Sequence, residues 1–253
     1  DAYVLAPAVV FVQVFQKHGV EVTMSEARGP MGLRKDLHIK AMTEIPEIRE
    51  RWHGIHGQYP NQEDVDRMFE DFVPMQLDCL RNYTTLLPLV AETTQSLQKQ
   101  GIKIGSTTGF LRSMVDILEE DARKQGYTPD ASVAGDEVIN GARPKPFMVY
   151  RNLDLMDVHP IQSVIKVDDT VSGVGEALEA GCWGVGIARY SNYMDMDTLE
   201  EADSLSEDEI KRRLVHTRTL LQKAGAHYVI DTWEQMLDVI EDVNIKLSRG
   251  EKP

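Results

Sequence analysis

The sequence predicts an α/β protein in which an all-helical segment precedes a parallel sheet. From about residue 83 onward, short β-branched runs (I-K-I-G-S-T, V-I-K-V-D, W-G-V-G-I) alternate with helical stretches, as in βαβ units and doubly wound sheets. Before that point no convincing strand occurs, and the first third reads as short antiparallel helices. The third observation is Ser163–Thr170, an apolar run that ends abruptly in two carboxylates, Asp168 and Asp169. Open α/β sheets bind ligands beyond the carboxyl ends of such strands.

Taken in order, Ala8–His18 carries Val9, Val10, Phe11, Val12, Val14 and Phe15 before Gly19, a mostly buried helix closed by glycine. Thr23 or Ser25 caps a short turn, M-S-E-A-R, which Gly29-Pro30 breaks. Met31-Gly32-Leu33 leads into a helix from Arg34 to about Thr43, followed by helices over Glu47–His56 and Asp64–Asn82. Beyond Tyr83, a helix over Pro88–Lys99 ends at Gly101, and Ile102–Thr107 reads as the first strand. Helices over Phe110–Gln125, Phe147–Leu155 and Val171–Ala180 alternate with strands over Ala131–Ala134, Val164–Asp168 and Trp183–Ile187. Val164, Ile165 and Val167 suit a strand buried on both faces. Ser206 and Glu209 stand in capping-box spacing at the start of a long helix anchored by Ile210, Leu214 and Leu221. A last strand, Ala226–Ile230, and a last helix, Thr232–Leu247, complete the pattern, and S-R-G-E-K-P is expected to fray.

The bulk properties exclude several classes. The 253 residues make one large or two ordinary domains, with enough apolar residues for a substantial core. A net charge of −14 argues against a nucleic-acid binder, although a few local cations could still serve an anionic substrate. Cys79 and Cys182 show no metal-ligand spacing and fit a reduced, cytoplasmic protein. They read as packed residues rather than nucleophiles, because nothing basic adjoins them. No run reaches membrane-span length and no basic signal-peptide region opens the chain, so no membrane partner is expected.

Four clusters fall where such a sheet exposes its site. Asp168 and Asp169 repel one another unless a cation sits between them, and hard oxygen ligands at a strand tip point to Mg²⁺. The plainer alternative is a pair that starts a turn and caps the next helix. Gly105-Ser106-Thr107-Thr108-Gly109 joins a strand to a helix and offers hydroxyls and N–H groups to an anion, or merely a cap. In Gly141-Ala142-Arg143-Pro144-Lys145-Pro146, prolines stiffen a loop that could aim Arg143 or Lys145 at a phosphoryl oxygen. The fourth cluster runs from Gly29 to His38. Its Lys35 begins a helix beside Arg34, and both the helix dipole and that neighbour disfavour the charged amine. An amine so prepared attacks carbonyls to form a Schiff base, with His38 one turn away on the same face. Taken alone, Lys35 is more simply an ordinary surface lysine. His53 and His56 are also three apart on a helix, but with no third ligand they read as surface residues.

Together, E-A-R-G-P-M-G-L-x-K-x-x-H, G-I-K-I-G-S-T-T-G, A-R-P-x-P and I-K-V-D-D-T-V-S resemble the phosphonoacetaldehyde hydrolases (phosphonatases) of the haloacid dehalogenase superfamily. The resemblance spans essentially the whole chain in the same order. The motif around Lys35 is specific to this branch; the others indicate only the superfamily. It implies a Rossmann-like core, residues 83–253, with an inserted helical cap, residues 3–82. It also implies Mg²⁺-dependent hydrolysis of the carbon–phosphorus bond of phosphonoacetaldehyde, and a homodimer formed through the cap. By the same resemblance Lys35 forms an imine with the aldehyde, and a core aspartate accepts the phosphoryl group. Thr108, with Thr107 and Gly109, matches the positions that bind phosphoryl oxygen, and Arg143 matches the orienting cation. Asp169 with Asp168 matches the metal site, while His38, Met31 and Gly32 match cap positions around the lysine.

There are two departures from the family pattern. Some relatives place a second acidic residue four positions after the first; here that position is Gly173, and the adjacent Asp168 is expected to supply the carboxylate. The family also opens on a strand ending in D-W-A-G-T-x-V-D, whose first Asp is the nucleophile. Asp1-Ala2-Tyr3 matches the end of that motif, so the nucleophile and a central strand are expected upstream of the given residues. Two rival readings remain open: another phosphatase of the superfamily with an inert lysine, or a catalytically dead binder of aldehyde or phosphonate.

Overall fold

The computed structural model describes residues 2–253, so Asp1 and its match to the family's opening motif lie outside the described residues. Five helices come first: α1 (Leu5–Lys17), α2 (Met24–Arg28), α3 (Lys35–Glu44), α4 (Pro46–His56) and α5 (Gln62–Leu80). In α2 the Thr23 hydroxyl accepts the Glu26 N–H (3.1 Å) while the Glu26 carboxylate accepts the Thr23 N–H (2.8 Å), a complete capping box. Asn61 and Asp64 do the same for α5. Val10, Phe11, Val14 and Phe15 of α1 face Ile39, Met42, Trp52, Met68 and Phe72 in one fully enclosed cluster.

The remainder alternates as expected: α6 (Val90–Lys99), β1 (Gly105–Thr107), α7 (Arg112–Lys124), β2 (Ala131–Val133), α8 (Phe147–Met156), β3 (Ile165–Asp168), α9 (Val171–Ala180), β4 (Trp183–Ile187), α10 (Leu199–Ser204), α11 (Glu207–Lys223), β5 (Tyr228–Ile230) and α12 (Met236–Ser248). All pairings are parallel, but among the described residues they form two sheets, β1 with β2 and β3-β4-β5. β1 is shorter than the Ile102–Thr107 expected, because its partner begins only at Ala131. On its unpaired edge, the Thr107 carbonyl accepts Arg143 Nη2 (2.9 Å), while the Ser106 carbonyl accepts Asn152 Nδ2 (2.7 Å). Arg143 thereby satisfies a group that the edge otherwise leaves bare.

Two sequence expectations are corrected. Val164, Ile165 and Val167 are half-buried, not buried on both faces, because β3 pairs on one side only among the described residues. The capping box at Ser206 is only half made. Its hydroxyl accepts the Glu209 N–H, but the Glu209 carboxylate turns to Arg212 and Arg213. Packing also blurs the border between the helical part and the sheet. Phe110, Met114 and Val115 join the helical cluster, while Tyr3 and Leu5 pack with Val174, Ala188 and Met194. No described helix is long and apolar enough to cross a membrane.

The helical cluster depends on its aromatic centre, where Phe72 stacks on Phe11 with ring centroids 4.6 Å apart. Phe72→Ala is expected to cost about 3–5 kcal/mol of stability, read from the urea midpoint. A change below about 1 kcal/mol would show that the cluster is not the core of this part.

Candidate active site

The site forms where the turn between α2 and α3 meets the strand ends. Gly32 has φ +94°, and a Cβ there would overlap the Ser172 hydroxyl and come within 2.7 Å of Thr170 Oγ1. A Cβ at Gly109 would lie 2.5 Å from the Leu33 carbonyl oxygen, and one at Gly135 3.3 Å from Arg34 Cγ. Ser172 Oγ also donates to the Met31 carbonyl (3.2 Å), and Met31 itself is buried. Thus the G-P-M-G turn and the first turn of α3 lie against the ends of β1, β2 and β3.

That contact decides the character of Lys35. It is 4 % exposed, so the surface-lysine reading is overturned. Its Nζ lies 4.6 Å from the Phe110 ring centroid and 5.8 Å from that of Phe11, and no described residue offers it a hydrogen bond or carboxylate. Burial first, and the Arg143 charge second, bring its pKa down to about 7. The neighbouring Arg34 is not the agent that sequence proximity implied, since its guanidinium grips Asp36 at 2.6 and 2.7 Å. His38 is wholly buried and stacks on Phe11 at 3.8 Å. Its Nε2 bonds the Ala27 carbonyl (2.8 Å), so it carries the proton, and Nδ1 is left with a lone pair and no partner. Burial, and then the Lys35 charge, hold its pKa well below the ordinary value.

The two aspartates are unequal. Asp168 Oδ1 accepts the Thr170 N–H (3.0 Å) and hydroxyl (2.7 Å), while Oδ2 faces Lys166 Nζ (2.7 Å) and Arg143 Nη2 (3.2 Å). Burial alone would raise its pKa, but Arg143 and Lys166 outweigh that and drive it far down. Its carboxylate occupies the space where a Cβ at Gly173 would sit, so a side chain at 173 and this rotamer of Asp168 exclude one another. Asp169 is half-buried, and its carboxylate has its own backbone N–H but no side-chain donor among the described residues. Burial, and next the Asp168 charge, push its pKa up to about 6. A desolvated carboxylate beside a second one, with no side-chain donor of its own, fits a hard divalent cation. No group of three or more His, Cys, Asp or Glu suited to a metal occurs among the described residues.

Arg143 is buried. Its Nε donates to Glu176 (2.9 Å), and Nη2 donates to the Thr107 carbonyl and hydroxyl (2.9 and 2.8 Å). The Thr107 hydroxyl is therefore engaged with Arg143 and Glu176, while the Thr108 hydroxyl accepts the Phe110 N–H (3.2 Å) at the half-buried strand end. Lys145 turns away to the Asn140 carbonyl. His53 and His56 lie exposed, and both cysteines carry raised pKa values through burial. Three residues escaped sequence reasoning: Lys166, Glu176 and Ser191, whose hydroxyl donates to the Asp169 carbonyl (2.6 Å). For Lys166 the one available signal was a charge inside an apolar strand run. Glu176, between Gly175 and Ala177, looks like any helical glutamate.

The chain is 41% identical over 238 residues to a phosphonoacetaldehyde hydrolase of Bacillus cereus, covering 94% of this chain and 89% of that protein. The chain belongs to the phosphonoacetaldehyde hydrolase family. It is also 41% identical over 244 residues to a bifunctional phosphonoacetaldehyde hydrolase/aminoethylphosphonate transaminase of Clostridioides difficile, of which it spans 38%. A crystal structure of a phosphonoacetaldehyde hydrolase-like protein from Oleispira antarctica superposes with a TM-score of 0.96 at 39% identity, covering all of this chain and 91% of that one. A haloacid dehalogenase-like hydrolase from Bacteroides fragilis, at 16% identity and TM-score 0.59, shares the fold alone. No family model matches the chain. These likenesses bear out the haloacid-dehalogenase α/β fold expected from the motifs.

Burying an unpaired amine costs stability, and the sign of its pH dependence follows. Because the folded-state pKa of Lys35 lies near 7, below the usual 10.5, the unfolded chain binds that proton more readily. The penalty is complete below about pH 7 and fades as the pH rises toward 10.5. Lys35→Met is therefore expected to melt several degrees higher than the parent at pH 6, with the gap narrowing above neutrality. An equal or lower melting temperature at pH 6 would contradict an unpaired buried amine.

Proposed function

We propose that this family member hydrolyses the carbon–phosphorus bond of phosphonoacetaldehyde to acetaldehyde and phosphate, with Lys35 as the imine-forming amine. The observation that carries the reading is the Lys35 amine itself, buried between two phenyl rings with no anion and a pKa near 7. A lysine so placed is neutral in a substantial fraction at physiological pH, as attack on an aldehyde requires. The relatives named for this activity, at the identities given above, support the choice of substrate.

The Lys35 nitrogen adds to the aldehyde carbon and water leaves, giving a protonated imine. When the carbon–phosphorus bond breaks, its electron pair enters that imine and forms an enamine, so no bare carbanion develops. Protonation at carbon and hydrolysis of the imine then release acetaldehyde and restore the amine. His38, neutral and with a free Nδ1 lone pair one turn from Lys35, serves the proton transfers. Met31 and Gly32 shape the wall beside the amine. Arg143, with Thr108 and the Gly109 backbone, receives the phosphoryl oxygens. The phosphoryl acceptor is an aspartate of the family's opening motif, which is not among these 253 residues, and water then hydrolyses the aspartyl phosphate to phosphate and the free carboxylate. Asp169, beside Asp168, would hold Mg²⁺, which would supply charge neutralisation at the phosphoryl oxygens. Residues 3–82 act as the cap that brings Lys35 over the core, residues 83–253. A homodimer through this cap follows from the family resemblance, and two free cysteines support a reduced, cytoplasmic setting.

Borohydride reduction in the presence of phosphonoacetaldehyde is expected to add mass to the Lys35 peptide. The rate of trapping should rise with pH through a midpoint near 7, because the neutral amine is the reacting form. A midpoint near the ordinary lysine value, or modification elsewhere only, would sink the assignment. In the complete protein, Arg143→Ala is expected to slow phosphate release by about 100- to 1,000-fold, and an unchanged rate would remove Arg143 from the phosphoryl site.

A further inference from the structure

Two buried charges near the site have no part in the mechanism above. Glu176, in α9, is wholly inaccessible, and the Lys166 side chain, in β3, is 9% exposed. Glu176 Oε2 gathers Arg143 Nε (2.9 Å), Lys166 Nζ (3.3 Å) and the Thr107 hydroxyl (3.3 Å). Lys166 Nζ also reaches Asp168 Oδ2 at 2.7 Å. With Arg143 and Asp168, these residues form a quartet of two cations and two anions. Placing four charges in a core carries a large desolvation cost before pairing, and apolar packing would do the structural task at least as well.

The geometry shows what the quartet achieves. The Arg143 guanidinium is gripped at Nε by Glu176 and at Nη2 by Thr107 and Asp168. Only Nη1 has no hydrogen-bond partner among the described residues, and it is not among the orphaned atoms sealed from solvent. Two edges of a planar, rigid fork are fixed, so the third points in one direction. Lys166 Nζ lies 2.7 Å from the Asp168 carboxylate and 3.3 Å from that of Glu176, so each carboxylate meets a cation on either side.

We propose that Glu176 and Lys166 are positioning residues for the phosphoryl-transfer half of the reaction: Glu176 fixes the guanidinium plane of Arg143, and Lys166 balances the carboxylates that hold it. This rests on the reading of Arg143 as the phosphoryl-binding cation, but not on the chemistry of Lys35. A donor displaced by about 1 Å can lose about 100-fold in rate.

The test uses the complete protein and measures three quantities on each variant: kcat and KM for phosphate release, borohydride trapping at Lys35, and the melting temperature. Glu176→Gln keeps the shape of the side chain but loses its charge, and is expected to lower kcat by about 100-fold while Lys35 is still trapped at the parental rate. Glu176→Asp, which withdraws the carboxylate from Nε, should not rescue it. Because a lone uncompensated buried charge is strongly destabilising, Lys166→Met/Glu176→Gln removes one charge of each sign. This double variant should melt near the parent yet remain slow in kcat. A folded Glu176→Gln, or the double variant, with parental kcat would overturn the proposal and leave the quartet as packing. Failure to trap Lys35 in the parent would instead refute the imine reading and leave the positioning result to be judged on kcat alone.

Discussion

The rest of the site depends on the close approach of the turn between α2 and α3 to the strand ends. Side chains are excluded at Gly32 and Gly109, because a Cβ at either would meet the opposing chain. The Ser172 hydroxyl then ties the turn to α9 through the Met31 carbonyl. This contact removes water from the first turn of α3 and encloses the Lys35 amine between Phe11 and Phe110. Were the turn a few ångströms farther out, Lys35 would be an ordinary solvated cation with an ordinary pKa. The same approach brings the amine within electrostatic reach of Arg143, which belongs to the other end of the reaction.

Charge in this region is divided in an informative way. Arg143, Lys166, Asp168 and Glu176 neutralise one another at short range and form a fixed frame. Two groups stay outside it. The Lys35 amine has no anion and the Asp169 carboxylate has no side-chain donor among the described residues, and each is shifted toward its neutral form. Buried groups held away from their comfortable charge state are costly to fold and ready to react or to take a ligand. One suits a carbonyl carbon, the other a hard cation, and the frame between them presents a single free guanidinium edge.

Much of this was legible in the sequence. The alternation of β-branched runs with helical stretches gave the parallel order of the strands, because period and length are local properties. The motifs around Lys35, Thr108, Arg143 and Asp168-Asp169 marked the turns that face the site, since special backbone conformations and strand-end carboxylates leave local traces. Burial was not legible. Lys35 read alone as a surface lysine, and its pKa was ascribed to Arg34, the nearest neighbour in the chain. In the fold Arg34 is paired with Asp36, and burial together with Arg143, 108 residues away, does the work. Glu176 left no trace at all, because nothing local separates a buried helical glutamate from a solvated one.

The sequence by itself determined the fold class, the family likeness and which residue types stand at the strand ends and the glycine turn. The tertiary structure alone decided which of those groups are engaged and which are open. Asp168 is closed by Lys166, Arg143 and Thr170, Asp169 is open, Thr107 serves Arg143, and the Lys35 amine is unpaired. The physical reason is that propensity and pattern act over a few residues. Desolvation and charge pairing instead depend on which segments meet in space, and here segments around residues 32, 108, 143, 168 and 176 meet at one point.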